Sequence, residues 1–576
     1  MTDAAAQVEA ARRALAEAEA ALAAERRSRL EPVEPSPTPR ESTGPLDAAA
    51  VELIRAGYAF DGEALEMGAL VNGEALAEVP IRIPIAMMNR HGLVAGATGT
   101  GKTKTLQVLA EQLSAAGVPV FAADIKGDLS GIASPGVENP KLLERTAGIG
   151  QDWSPSASPT EYYTLGGLGT GIPIRATVSS FGPLLLSKVL GLNDTQESSL
   201  GLVFHYADKA GLPLLDLTDL RAVLNFLTSA EGKSELKELG GLSSATAGVI
   251  LRELITFSDQ GADVFFGEPE IDTSLFLRTD ASGRGLVSLL EIPGVQDKPA
   301  LFSTFLMWLL ADLFNDLPEV GDIDKPKLVF FFDEAHLLFK NASSDFIESI
   351  TQTVRLIRSK GVGIVFVTQT PKDVPNDVLA QIGSRVQHQL RAHTPDDAKA
   401  LRSTVSTYPT SAYKLGEVLT SLATGEAIVT VMNEKGAPTP VAWTRLRAPR
   451  GSMSPTPPET MKATVAASPL LAQFGTVVDR DSAREILAAK MDAATTASTT
   501  AASSAKADEQ AQVEQTRAQR EWEREAAKGR ARTPAAPRRT TTKKQPTVVE
   551  EVLGSRAGQT IVREVLRGIF GTLKRR

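Results

Sequence analysis

The octapeptide GATGTGKT, Gly96 to Thr103, constrains this chain more than any other stretch. It satisfies G-x-x-x-x-G-K-[ST] in full, and each fixed position has a chemical reason. Glycines let backbone N–H groups close around a β-phosphate. The Lys102 ammonium then neutralises β- and γ-oxygens, and the Thr103 hydroxyl ligates Mg2+. An apolar run, His91 to Gly96, precedes the loop, and TKTLQVLAEQL follows at helical spacing, so a helix N-terminus is aimed at the anion. Gly96, Ala97, Thr98, Gly99, Thr100, Gly101, Lys102, Thr103 and Lys104 are therefore expected to hold a nucleoside triphosphate.

A second apolar run, KLVFFFDE (Lys327 to Glu334), ends in two acids. Asp333 is placed to hold Mg2+ through water opposite Thr103, and Glu334 to polarise the attacking water as a general base. The string DEAH also occurs in a class of two-lobed helicases. Nothing downstream resembles their paired Arg motif, so His336 reads as a packing or coupling residue.

Three further groups admit two readings each. GVGIVFVTQ ends in Thr368-Gln369, which either contacts the γ-phosphate or lytic water or simply ends a strand before Thr370-Pro371. Arg385 opens what reads as the last core strand, either as a solvated side chain or as an arginine finger supplied to a neighbouring subunit. Arg355 and Arg358, on the helix after the acidic strand, are its rivals. Asp124, Lys126 and Asp128 in ADIKGDLSG are expected beside the phosphate loop. They are either a solvated turn or, for Asp128, a group that orients water or relays occupancy to a moving loop.

Apolar, β-rich runs at His91–Gly96, Val118–Asp124, Gly285–Ile292, Lys327–Glu334, Gly361–Gln369, Arg385–Leu390 and Glu426–Met432 alternate with helical periodicity. The pattern predicts an α/β fold with a mainly parallel sheet covered on both faces. The expected organisation begins with an Ala-rich helix over 1–30, a Pro-rich linker over 31–46 and a small β-rich segment over 47–90 leading into the core. The core spans 91–448, with a helical insertion at about 181–262. A low-complexity linker and basic tail over 449–548 precede an amphipathic helix over 549–576, whose Val562, Val565, Leu566, Ile569, Phe570 and Leu573 share one face.

The formal charge of −8 conceals a segregation. Residues 517–576 hold 16 Lys/Arg against 6 Asp/Glu and carry +10, so the first 516 carry −18. A basic tail on an acidic body is compatible with a nucleic-acid partner. Zero cysteines exclude disulfides, thiolate zinc sites and cysteine nucleophiles, and the five histidines form no metal-binding spacing. With no visible signal peptide and no apolar run long enough to span a bilayer, the expectation is a cytoplasmic protein without membrane contact.

NRHGLVAGATGTGKT, DIKGDLSG, LLLSKVLGLNDTQ, FFGEP, DKPKLVFFFDEAHLLF, VRLIRSKGVGIVFVTQ and GSRVQHQLRA closely resemble a bacterial family of HerA-like ATPases, within the HerA/FtsK group of motor ATPases. The resemblance spans about Met67 to Val441, with a weaker echo near the C-terminus. It implies a RecA-like P-loop NTPase core, ATP hydrolysis with Mg2+, a ring expected to be a hexamer and translocation on double-stranded DNA. It carries Lys102, Thr103, Asp333, Glu334 and Gln369 into nucleotide roles and Arg385 into the trans-acting finger. It leaves room for a nuclease partner that the sequence does not identify. A competing reading is an ATPase that acts on a protein partner, as an assembly or secretion motor.

Overall fold

The central strand LVFFF is apolar at every position where a one-sided sheet would alternate with polar residues. Leu328, Phe330 and Phe332 enter one hydrophobic cluster while Val329 and Phe331 enter another, so β8 (Leu328–Phe332) is buried on both faces. The computed structural model describes residues 44–235, 240–292, 299–339 and 344–529. The expected helix at 1–30, the 31–46 linker up to residue 43 and the C-terminal amphipathic helix at 549–576 lie outside the described residues, as does the tail from 530.

The other strands are β1 (Ala64–Asn72), β2 (Glu74–Pro84), β3 (Gly92–Ala95), β4 (Val120–Asp124), β5 (Thr160–Leu165) and β6 (Ile172–Ile174). They continue with β7 (Val287–Glu291), β9 (Val362–Thr368), β10 (Ser384–Gln387), β11 (Glu426–Thr430) and β12 (Ala442–Leu446). All join one 12-stranded sheet in the order β2-β1-β12-β11-β10-β3-β9-β8-β4-β7-β5-β6. From β10 to β6 every pairing is parallel, and from β10 to β2 every pairing is antiparallel. The α/β, mainly parallel architecture expected from the sequence is what forms.

Helices cover both faces. Lys102–Ala115 packs Leu106, Leu109, Ala110 and Leu113 on one face. Pro299–Asp316 covers the other with Phe302, Phe305 and Leu309, beside the helices Asp194–Lys209, Leu217–Thr228 and Ser244–Asp259. Among the described residues no helix is long and apolar enough to cross a membrane.

Two expectations are corrected. β10 is not the last core strand. It sits centrally beside β3, because β11 and β12 fold back antiparallel and extend the sheet to the β1–β2 hairpin. Although β9 and β8 lie between β3 and β4, Asp124, Lys126 and Asp128 come beside the phosphate loop as expected, the charges of Asp124 and Asp128 acting on Lys104 and that of Lys126 on Lys102. Finally, the segment from Pro449 to Lys490 is not linker. Val465, Leu470, Phe474, Ala483 and Leu487 are buried in the two clusters, and prolines begin the helices Pro458–Ala467 and Pro469–Phe474 at positions that need no N–H partner.

The chain divides into two units at Lys490/Met491. The described residues of the second, Met491 to Gly529, are helical rather than linker-like through the Ala/Thr/Ser stretch. Alanine is the best helix former, and Thr495, Thr496, Thr499 and Thr500 return their hydroxyls to the carbonyls four residues back.

Candidate functional site

Because β3, β9, β8, β4 and β7 run parallel in adjacent positions, their carboxyl ends open at one edge of the sheet, where ligands bind in such folds. The phosphate loop starts there. Gly96 N donates to Thr368 O at 3.2 Å and Ala97 N to Gln389 O at 2.9 Å, so the neighbouring strand ends hold the loop's first turn. Gly101 enters the helix at φ 111°, a conformation that glycine adopts without strain. The helix's first hydrogen bond runs from Thr105 N to Gly101 O, leaving the amides of Lys102, Thr103 and Lys104 to an anion.

Lys102 folds back over this cradle, its Nζ donating to Gly96 O at 2.6 Å and Ala97 O at 3.2 Å. Burial lowers its pKa, opposed by the nearby Glu334 and Asp333 carboxylates. The Lys104 side chain instead donates to Met453 O at 2.7 Å, so only the backbone of this residue faces the cradle.

β9 separates the phosphate-loop strand from β8, and the carboxyl end of β8 delivers Asp333 and Glu334. Burial, then the Glu334 charge, push the Asp333 carboxyl up to about 6, while a bond from Glu334 N to its Oδ1 at 2.8 Å acts in the opposite sense. A carboxylate and a Thr hydroxyl are oxygen donors of the kind a hydrated divalent cation takes. Among the described residues no three His, Cys, Asp or Glu side chains form a metal cage. The oxygen donors present thus fit Mg2+ carried in with nucleotide phosphates, which Thr103 and Asp333 would hold.

Of the polar pair ending β9, Thr368 is buried and gives its hydroxyl to Asp373 Oδ2 at 2.8 Å. Gln369 is exposed and lines a small cleft with Ala97, Thr98 and Arg391, whose guanidinium donates to Thr98 O at 3.2 Å. Gln369 alone is therefore open to the loop. Arg385 is not brought to its own chain's loop. It registers with Leu93 on β3, upstream of the loop, and its Nη1 donates to Thr407 Oγ1 at 2.8 Å. Arg355 lines a separate cleft with Glu348, Gln352 and Asp377, and Arg358 lies in the short turn that follows its helix.

Three features escaped sequence reasoning. Lys126 reaches Glu334 Oε1, because β4 and β8 are neighbours and their carboxyl ends open side by side. His388, fully buried one residue beyond β10, hydrogen-bonds Thr105 Oγ1 at 2.9 Å behind the loop, and burial lowers its pKa to about 4. A strap over residues 449–456 lies along the loop's helix. Glu111 accepts Arg450 N and Gly451 N, each at 2.8 Å, and Gln107 donates to Ser452 O at 3.0 Å. The only sequence signal for the strap was helical spacing of Lys104, Gln107 and Glu111. Next to Lys126, Asp124 accepts Leu129 N at 2.8 Å, and burial raises its pKa. Its register partner Glu291 is pushed to about 8 by burial and by Asp124.

Residues 70–576 match the family described as Helicase HerA-like C-terminal. The DNA double-strand break repair helicase HerA of Saccharolobus solfataricus is 22% identical over 389 residues, 67% of this chain and 69% of the relative. A probable helicase of Methanocaldococcus jannaschii is 25% identical over 366 residues, 60% of this chain and 64% of the relative. Among solved structures, the bacterial conjugative coupling protein TrwB superposes with a TM-score of 0.48 at 17% identity, covering 73% of this chain and 98% of TrwB. VirB4 of Thermoanaerobacter pseudethanolicus gives 0.43 at 14% identity, covering 67% and 97%. With the family match extending over most of its length, the chain belongs to the HerA-like helicase family of P-loop ATPases.

Proposed function

We propose that this protein is an ATP-hydrolysing ring motor, hexameric in form, that translocates on double-stranded DNA. The observation that carries the hydrolytic part is the order β3-β9-β8, with Ala95 beside Thr368 and Phe332 beside Phe366. That register opens Lys102, Thr103, Gln369, Asp333 and Glu334 on one edge of the sheet.

In this reading the loop from Gly96 to Lys104 wraps the β- and γ-phosphates, which the free amides of Lys102, Thr103 and Lys104 and the Lys102 ammonium bind. Thr103 and Asp333 hold Mg2+, which when bound neutralises charge on the phosphate oxygens. Glu334 accepts the proton of the attacking water, and Gln369 orients that water. Arg385, remote from its own loop, serves a neighbouring subunit's nucleotide as the trans-acting finger. The relatives named as helicases and the +10 charge of residues 517–576 support DNA as the track.

The test is the hydrolysis rate with and without duplex DNA, together with the salt slope of DNA binding. Stimulation by duplex and a steep slope are expected. A rate indifferent to DNA, with no binding at low ionic strength, leaves the second reading, an ATPase acting on a protein partner. The −18 charge of the first 516 residues favours that alternative. A pull-down showing a partner remodelled only with ATP would decide for it.

A further inference from the structure

One oxygen of the proposed general base is already engaged and the other is buried. Glu334 is 4% exposed, and its backbone sits at φ 49°, a left-handed conformation that a Glu keeps only when its surroundings hold it. The Lys126 ammonium bonds Oε1, while Oε2, 3.2 Å from His336 Nδ1, is buried and makes no hydrogen bond. An oxygen that accepts a charge-assisted hydrogen bond is not open to a water in the same direction.

Lys126 is delivered by the loop that follows β4, and the loop is built to aim it. Gly127 turns the chain at φ 74°. Leu129 N closes the turn on Asp124 Oδ2 at 2.8 Å, and Ser130 Oγ donates to Gly127 O at 2.7 Å. The far end is tied to the strap, with Thr456 N donating to Ser130 Oγ at 3.0 Å and Thr456 Oγ1 to Ser130 O at 2.6 Å. The Lys126 side chain is 38% exposed against 5% for Glu334, so the lysine is the partner with room to withdraw.

We propose that Lys126 is a positioning residue that latches Glu334 in a non-hydrolysing arrangement, and that turnover requires this loop to withdraw the ammonium. The inference rests on the hydrolytic reading of Glu334 given above. Because strap and loop share the Ser130–Thr456 bonds, displacement of the strap is a route by which the latch opens.

The experiment compares the full chain with Lys126→Met, Lys126→Arg and Glu334→Gln in steady-state MgATP hydrolysis without DNA. Lys126→Met is expected to raise kcat on the order of tenfold, with KM held within about twofold, because one charge-assisted bond no longer occupies the base. Lys126→Arg, which keeps the ion pair, is expected to stay near the unsubstituted kcat. If Lys126→Met does not fold, Lys126→Gln carries the same expectation. An unchanged or lowered kcat in the neutral variant overturns the latch. If Glu334→Gln hydrolyses as fast as the unsubstituted protein, the hydrolytic reading itself falls. If Glu334→Gln is inactive and the neutral Lys126 variant is no faster, only the latch falls.

Discussion

His388 stands directly against Gly96, the glycine that opens the phosphate loop: a Cβ added there would lie 2.4 Å from the His388 Cβ. The first glycine of the motif is thus required by a residue 292 positions later as well as by the phosphate it faces. Gly96→Ala is expected to displace the loop and lower stability by about 2 kcal/mol, as overpacking a filled site does. Nucleotide affinity should fall with it. Thermal denaturation and a fluorescent-nucleotide titration check both, and a variant that binds normally would show the crowding to be relieved elsewhere.

Glu334→Gln keeps the shape of the side chain and removes its capacity to take a proton. Loss of a general base lowers turnover by roughly 10²–10⁴-fold while nucleotide still binds. Rapid-quench hydrolysis measured beside equilibrium binding separates these effects. Equal losses in both would mean that Glu334 supports the site without acting on water.

Stability should fall in acid through His91. Its Nδ1 accepts Ile364 N at 3.1 Å, and its Nε2 lies 2.7 Å from Val354 O, so a neutral ring protonated at Nε2 satisfies both partners. Burial, reinforced by the Arg358 charge and opposed by the Val354 carbonyl, lowers its pKa to about 4. The unfolded chain binds this proton near the ordinary value of about 6.5. Between those values the unfolded state holds more protons, so stability present above about pH 6.5 is lost as pH falls towards about 4, on the order of 3 kcal/mol in all. His388 acts in the same direction. Urea midpoints from pH 7 to pH 5 should show a shallower slope in His91→Gln, and an unaltered slope would rule His91 out.

Glu111 holds the strap to the phosphate-loop helix through two backbone amides. Glu111→Ala strands both donors and is expected to destabilise the fold by about 2 kcal/mol. Hydrogen exchange should report it first at Arg450 and Gly451. Unchanged protection there would show that Gln107 and Lys104 hold the strap without it.

Residues 517–545 hold 10 Lys/Arg against 3 Asp/Glu. Removing them should flatten the dependence of log K for duplex DNA on log salt, by about 0.9 for each phosphate they had neutralised. A slope that does not move would assign DNA binding to the ATPase body.

The local chemistry of the site was legible because it is written in contiguous residues. A loop that must wrap phosphate needs its glycines, lysine and threonine in one turn, and a buried strand ending in Asp333-Glu334 announces itself by LVFFF. The doubly apolar strands also disclosed the covered parallel sheet. The segment after Pro449 was misread because its apolar residues are sparse and its prolines, which begin helices here, also mark linkers.

By itself, then, the sequence determined which groups would be candidates to meet a nucleotide and that a parallel sheet would carry them. Only the tertiary structure decided what restrains those groups. Lys126 meets Glu334 across 208 residues, and Thr456 meets Ser130 across 326. The physical reason is that parallel strands are joined by long crossovers. Neighbours in the sheet are therefore chosen by how whole helices pack on its faces, and no local pattern of residues encodes that choice.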